Sequence, residues 1–211
     1  MILENDMLRV QLDAKTGGFS SIYDKALAVD YVLANDRALL FRAMIPGPDN
    51  PSRHVDSGAV VSLASNGTQA TISFETDEIR AEAKLELDGR AILARLQVEN
   101  KGEAPVEEIL FPCIRGLAPM EDAAIVWPCF WYRRVERVFA TKASGLPHGL
   151  GGDHKTWNEL GQKVIARYPA HLASAWADYG NGHRGITLEG RHTDFSIMDF
   201  FFHKVLEKDF A

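Results

Sequence analysis

Cysteine is scarce in this chain of 211 residues: Cys113 and Cys129 are the only two. They are too few for a disulfide framework and lack the CxxC spacing of a zinc site. Free thiols are the default reading, and a disulfide across a hairpin stays open because the two flank a turn near Pro119. Basic charge is also short. Lys and Arg number 23 against 29 Asp and Glu, a formal net charge of −6, the opposite of the balance expected for a general nucleic-acid binder. No window approaches the roughly 18 consecutive apolar residues of a membrane span, and Met1-Ile2-Leu3-Glu4-Asn5-Asp6 has neither the basic nor the apolar region of a signal peptide. The chain is therefore read as cytoplasmic by default, with neither nucleic acid nor membrane as a partner. Internal repeats and low-complexity tracts are absent, and a helical stripe is hard to find outside Thr156 to Lys163.

What is present is period-2 alternation in a chain that is 46% hydrophobic and 25% charged, enough apolar material to bury a sizeable core without disulfides or metal. Leu8, Val10 and Leu12 alternate with Arg9, Gln11 and Asp13, a turn follows at Lys15-Thr16-Gly17-Gly18, and Phe19 to Tyr23 returns. That is an opening β-hairpin. Three further hairpins are expected at Asn66-Gly67, Asp88-Gly89 and Asn181-Gly182, where a two-residue turn sets the register. About Asp88-Gly89 it pairs Leu85 with Ile92, Ala83 with Ala94, Ala81 with Leu96 and Ile79 with Val98, and sets Glu82 opposite Arg95. About Asn66-Gly67 it pairs Val61 with Ile72 and Ala59 with Phe74; about Asn181-Gly182 it pairs Ala177 with Ile186 and Ala175 with Leu188. Turn signals recur roughly every ten residues and no βαβ alternation occurs, so the expectation is one all-β antiparallel domain over residues 1–211, a large sandwich or barrel. Two stretches break the strand pattern, Pro46 to Pro51 and the glycine-rich Ala143 to Gly161.

The glycine-rich stretch is not a P-loop: His154, not glycine, precedes Lys155-Thr156, and no strand-then-helix frame surrounds it. A loop at a sandwich rim is the better account, and its His148, Asp153, His154 and Glu159 have no geometry that sequence can fix. Asn66-Gly67-Thr68 matches the glycosylation acceptor formally but falls on a tight turn. No spacing demonstrates the two carboxylates, roughly 5 to 10 Å apart, that a glycosidase needs.

Two segments carry chemistry that fits a sugar. In Trp127-Pro128-Cys129-Phe130-Trp131-Tyr132-Arg133-Arg134, alternation puts Trp127, Cys129, Trp131 and Arg133 on one face and Phe130, Tyr132 and Arg134 on the other; one face is core, and the other, with Trp131 and Arg133 as the candidates, would stack on an apolar sugar face and meet its hydroxyls. Core packing competes for each of these aromatics. In the Asn181-Gly182 hairpin the non-core face carries Ser174, Trp176 and Asp178 opposite Glu189, Thr187 and Gly185, followed by Arg191. Trp176, Asp178, Glu189 and Arg191 make a polyol-binding surface; the competing reading is a solvated face with one half-exposed tryptophan. The same register sets His171 opposite His192, with Asp194 two residues on, so that His171, His192 and Glu189 are the weak candidates for acid–base chemistry. No metal and no cofactor is assigned.

The opening Leu3-Glu4-Asn5-Asp6, Leu8-Arg9-Val10, Thr16-Gly17-Gly18 and Ile22-Tyr23-Asp24-Lys25 resembles the first hairpin of galactose-mutarotase-like β-supersandwich domains. Phe111-Pro112-Cys113-Ile114-Arg115-Gly116-Leu117, Trp127-Pro128, Tyr168-Pro169, Ser174-Ala175-Trp176 and Gly185-Ile186-Thr187-Leu188 are similar to the supersandwich that precedes a (β/α)8 barrel in a group of glycoside hydrolases. The resemblance implies an antiparallel β-supersandwich that is non-catalytic, sugar-binding or scaffolding. Its partners would be carbohydrate and a catalytic barrel domain in the parent protein, which would carry the catalytic carboxylates. Such sandwiches continue further than Ala211, which leaves an incomplete C-terminus as an expectation. The Asn-His-aromatic-Phe-Asn motif of aldose epimerases is absent, so their catalytic residues have no counterparts here. A stand-alone sugar epimerase using His171, His192 and Glu189 is the alternative, and a structural interaction domain burying Trp127 and Trp131 is the third reading.

Overall fold

The computed structural model describes residues 1–33, 38–50, 53–58, 60–127, 133–136, 162–168, 175–191 and 198–204. Among them there is no helix, and every strand pairing is antiparallel; the fold is all-β. The chain falls into two compact units, Met1–Ala118 and Pro119–Ala211.

The first unit opens with β1 (Ile2–Glu4), β2 (Leu8–Leu12), β3 (Phe19–Asp24) and β4 (Val29–Asp30), paired in that order. Leu8, Val10 and Leu12 are buried and Arg9 and Gln11 exposed, as the alternation predicts. The turn between β2 and β3 is held by Asp13, whose Oδ1 accepts from Lys15 N, Thr16 N and Thr16 Oγ1. Glycine is required behind it, because a Cβ on Gly18 would stand 2.4 Å from the Leu39 backbone nitrogen.

Next come β5 (Arg42–Met44), β6 (His54–Asp56), β7 (Val60–Ser65), β8 (Gln69–Glu75), β9 (Ile79–Asp88), β10 (Ala91–Asn100) and β11 (Glu108–Leu110). They form two sheets, β11-β5-β6 and β10-β9-β8-β7. Phe41 meets Phe74 edge-on, with centroids 4.9 Å apart, and Leu3, Val10, Leu12, Ile72 and Leu85 are buried as well. Asn5 donates to Gly89 O, and the buried Asp24 accepts from Arg90 Nη2 as well as from Ala26 N and Leu27 N. The opening sheet is thereby tied to the β9–β10 turn. Arg53 and Glu78 add a bidentate ion pair.

All three expected two-residue turns form hairpins, but each register differs from the expected one. At the second of them, Asp88 pairs with Ala91, so Gly89 and Arg90 make the turn; Gly89, with φ 56°, takes its first central position. Leu85 therefore faces Ala94, Ala83 faces Leu96, Ala81 faces Val98, and Glu82 lies opposite Gln97 rather than Arg95. At Asn66 the loop is longer, closed by Asn66 N to Gln69 O, and a bulge between Val60 and Ser62 shifts the register again. Leu63, not Val61, then faces Ile72, and Val60 faces Phe74; Ala59 lies outside the described residues. The displacement next to each turn is by two residues, which leaves the side chains there on their expected faces; past the bulge the shift is by one, and Val60 takes the place opposite Phe74 that was expected of Ala59.

The second unit holds β12 (Ala124–Trp127), β13 (Arg133–Val135), β14 (Gln162–Tyr168), β15 (Ala175–Gly180), β16 (Gly185–Gly190) and β17 (Met198–Lys204). One sheet runs β13-β12-β15-β16, and β14 pairs with β17. Gln162 and Lys163, the end of the one helical stripe, lie in β14; the rest of that stripe and the whole glycine-rich stretch are outside the described residues.

Candidate functional site

The sheet β13-β12-β15-β16 carries the tryptophan face. Its hairpin β15–β16 is closed by four residues, with Asn181 N donating to Arg184 O and Asn181 Oδ1 accepting from His183 N and Arg184 N. Gly180 and Gly185 stand opposite each other. A Cβ on Gly185 would meet Tyr179 O at 2.7 Å and Gly180 Cα at 2.9 Å, and one on Gly180 would meet Arg184 O at 2.7 Å. Two side-chain-free residues at this crossing fix the register. Ala177 consequently faces Leu188 and Tyr179 faces Ile186, a correction of the expected Ala177–Ile186 and Ala175–Leu188 pairs.

Ala177 and Tyr179 are buried, so the alternate residues point away from the core. Trp176 lies directly opposite Glu189 and Asp178 directly opposite Thr187, partners whose Cβ atoms are about 5 Å apart in an antiparallel pair. Thr187 Oγ1 donates to Asp178 Oδ1 at 2.8 Å, and Arg191 Nη2 donates to Glu189 Oε2 at 3.0 Å. Trp176 and Asp178 are half-buried, while Thr187, Glu189 and Arg191 are exposed. The expected register had set Trp176 against Thr187; the observed one gives the indole a carboxylate as its immediate neighbour.

The row continues across the sheet. Asp178 pairs with Val126, and Val126 pairs with Arg134, so Arg134, Val126, Asp178 and Thr187 form one line about 14 Å long at the usual strand spacing. Arg134 is exposed, and its Nε donates to Glu136 Oε1 at 3.1 Å. Arg133, the candidate from the sequence, pairs with Trp127 one register position away; that Arg134 rather than Arg133 lines up with Asp178 follows from which strand lies alongside β12, which local alternation does not encode. Trp131, His171, His192, His148, Asp153, His154 and Glu159 lie outside the described residues.

Chemically this face offers a flat apolar ring with carboxylate acceptors and guanidinium donors beside it. Two carboxylates are in place at Asp178 and Glu189, one tied to a hydroxyl and the other to a guanidinium. Among the described residues no group of three or more His, Cys, Asp or Glu is placed to hold a metal ion, and no helix is long and apolar enough to cross a membrane. Behind the face, burial pushes the Tyr179 hydroxyl up to about 12, against the pull of a hydrogen bond with the Met120 backbone. In the other unit Cys113 is a free thiol. Its Sγ donates to Leu110 O, and burial is the main reason its pKa rises to about 11; Cys129 lies outside the described residues. No protein-family model matches the chain, and no curated protein does either.

Proposed function

We propose that the chain is a non-catalytic, carbohydrate-binding β-supersandwich of a glycoside hydrolase, and that the Trp176 face of β15–β16 is where it meets sugar. The observation that carries this reading is Trp176 set directly opposite Glu189, with Asp178, Thr187 and Arg191 on the same side. An indole stacks on the C–H face of a pyranose, and carboxylates accept hydrogen bonds from its hydroxyls. Asp178 and Glu189 are matched by Arg184 and Arg191 in the same hairpin, so its formal charge is zero, which suits an uncharged sugar. The all-β antiparallel architecture and the opening hairpin suit a sandwich of the galactose-mutarotase-like kind. The catalytic carboxylates would then belong to a barrel domain of the parent protein.

The test is intrinsic tryptophan fluorescence titrated with a panel of neutral and acidic mono- and oligosaccharides. A saturable shift with a neutral class is expected, weakened about thirtyfold or more by Trp176→Ala, the size of effect that a central aromatic anchor shows. No shift from the folded protein overturns the reading, and so does an undiminished shift in Trp176→Ala, since the chain has three other tryptophans.

A further inference from the structure

We propose that two copies of this chain associate through β10, pairing antiparallel about a two-fold axis at Gln97. Among the described residues of the first unit, the other sheet edges are blunted: β1, β6 and β11 have three residues, β4 has two, and β7 is interrupted by its bulge. Strand β10 runs for ten residues, pairs with β9 without a bulge, and contains no proline. Proteins ordinarily blunt an edge of this kind, because its outward N–H and C=O groups invite another strand.

Both faces of the strand specify which strand would fit. On the core side, Leu87, Leu85, Ala83 and Ala81 of β9 are buried, while their partners Ile92, Ala94, Leu96 and Val98 on β10 are only half-buried. The apolar layer therefore reaches the edge and stops partly covered. On the outer side, Arg95 lies directly opposite Lys84 and makes no ion pair among the described residues; Lys84 is drawn to Glu82 at 3.1 Å. Like charges placed opposite one another destabilise a sheet, so among the described residues Arg95 has no anion paired with it. Four residues along, Glu99 is exposed and shares Arg80 with Glu75.

Antiparallel pairing about Gln97 answers both deficits. Arg95 of each copy falls opposite Glu99 of the other, twice by symmetry, and Leu96 falls opposite Val98 on the core side. Neighbouring registers fail: centred on Arg95 the strand sets Arg95 against itself, centred on Glu99 it sets Glu99 against itself, and centred on Leu96 it sets Leu93 against Glu99. The edge would extend each four-stranded sheet into one of eight. Edge pairing buries less surface than a standard obligate interface, so a weak, concentration-dependent dimer is expected.

Sedimentation velocity of the full chain from low to several hundred micromolar tests this. The wild type should show reversible dimerisation, weakened roughly tenfold or more by Arg95→Glu or by Glu99→Arg alone, each of which creates two like-charge pairs. The double variant R95E/E99R should restore it. A chain that stays monomeric throughout overturns the proposal, as does a dimer indifferent to the single charge changes or one that the double variant does not recover. Amide hydrogen exchange in the wild type is independent of any variant's folding: protection in β10 must rise with protein concentration, and constant protection overturns the proposal.

Discussion

Hairpins β9–β10 and β15–β16 are built alike and present different surfaces. Each has an apolar inner face, each is closed through glycine, and each pairs two residues away from the register that its Asx-Gly dipeptide suggests. In β9–β10 the outer face is polar and largely charged, with Glu82, Lys84, Arg95 and the neutral Gln97 around a shallow depression, and no aromatic. In β15–β16 the same positions hold Trp176, Asp178, Thr187 and Glu189. Long charged side chains on such a surface keep their heads in water, whereas an indole half in water leaves an apolar ring exposed. One scaffold thus supplies a strand-pairing edge and a stacking surface according to what occupies its outward positions.

The turns differ in mechanics, and the largest expected effect lies there. A Cβ at Gly89 meets nothing within 4 Å, so Gly89→Ala costs only the left-handed backbone, about 1 to 2 kcal/mol. At Gly185 the added carbon runs into backbone at 2.7 and 2.9 Å, which forces two strands apart and costs about 2 to 4 kcal/mol. Urea unfolding of the two variants should separate them clearly. Equal losses would mean that backbone conformation alone, and not the Gly180–Gly185 crossing, sets the β15–β16 register.

This contrast also explains what could be read from the sequence. Alternation identified the strands and their faces, since a period of two survives a slip of two residues; the buried set Leu8, Val10 and Leu12 and the outward set Trp176, Asp178 and Glu189 came through intact. Partners did not. Asn181-Gly182 matches the two-residue turn signal, but the flanking Gly180 and Gly185 were the informative glycines, because close backbone approach at both fixes the pairing. The row from Asp178 through Val126 to Arg134 was illegible for a different reason: β12 and β15 are some fifty residues apart in sequence, and nothing local encodes a non-local neighbour. For His171 and His192 the described residues add nothing to the sequence reading.

A second contrast is between the buried weak acids of the two units. Cys113 rises from 9.0 to about 11 and Tyr179 from 10.0 to about 12, both chiefly by burial. A folded pKa above the unfolded one means stability that is complete below the unfolded value and lost as pH climbs through the folded one. Thermal unfolding should therefore show one decline between pH 9 and 11 that Cys113→Ala flattens, worth at most about 3 kcal/mol for a shift of this size, and another between pH 10 and 12 that Tyr179→Phe flattens. If either substitution flattened both declines, the two units would not be unfolding independently.

The smallest effect is the sharpest test of the two outer faces. Thr187→Val removes a solvent-exposed hydrogen bond to Asp178, and Lys84→Ala removes a solvent-exposed ion pair with Glu82; each should change stability by less than about 1 kcal/mol. Their effects on sugar binding should diverge. Without the Thr187 hydroxyl, the Asp178 carboxylate is free to rotate away from Trp176, and an acceptor that must be positioned anew on binding weakens the complex, here by a few-fold. Lys84 belongs to a face with no aromatic to stack on, so Lys84→Ala should leave fluorescence titrations unchanged. A matching loss from Lys84→Ala would place sugar on the charged face as well, and the division of labour between the two hairpins would fall.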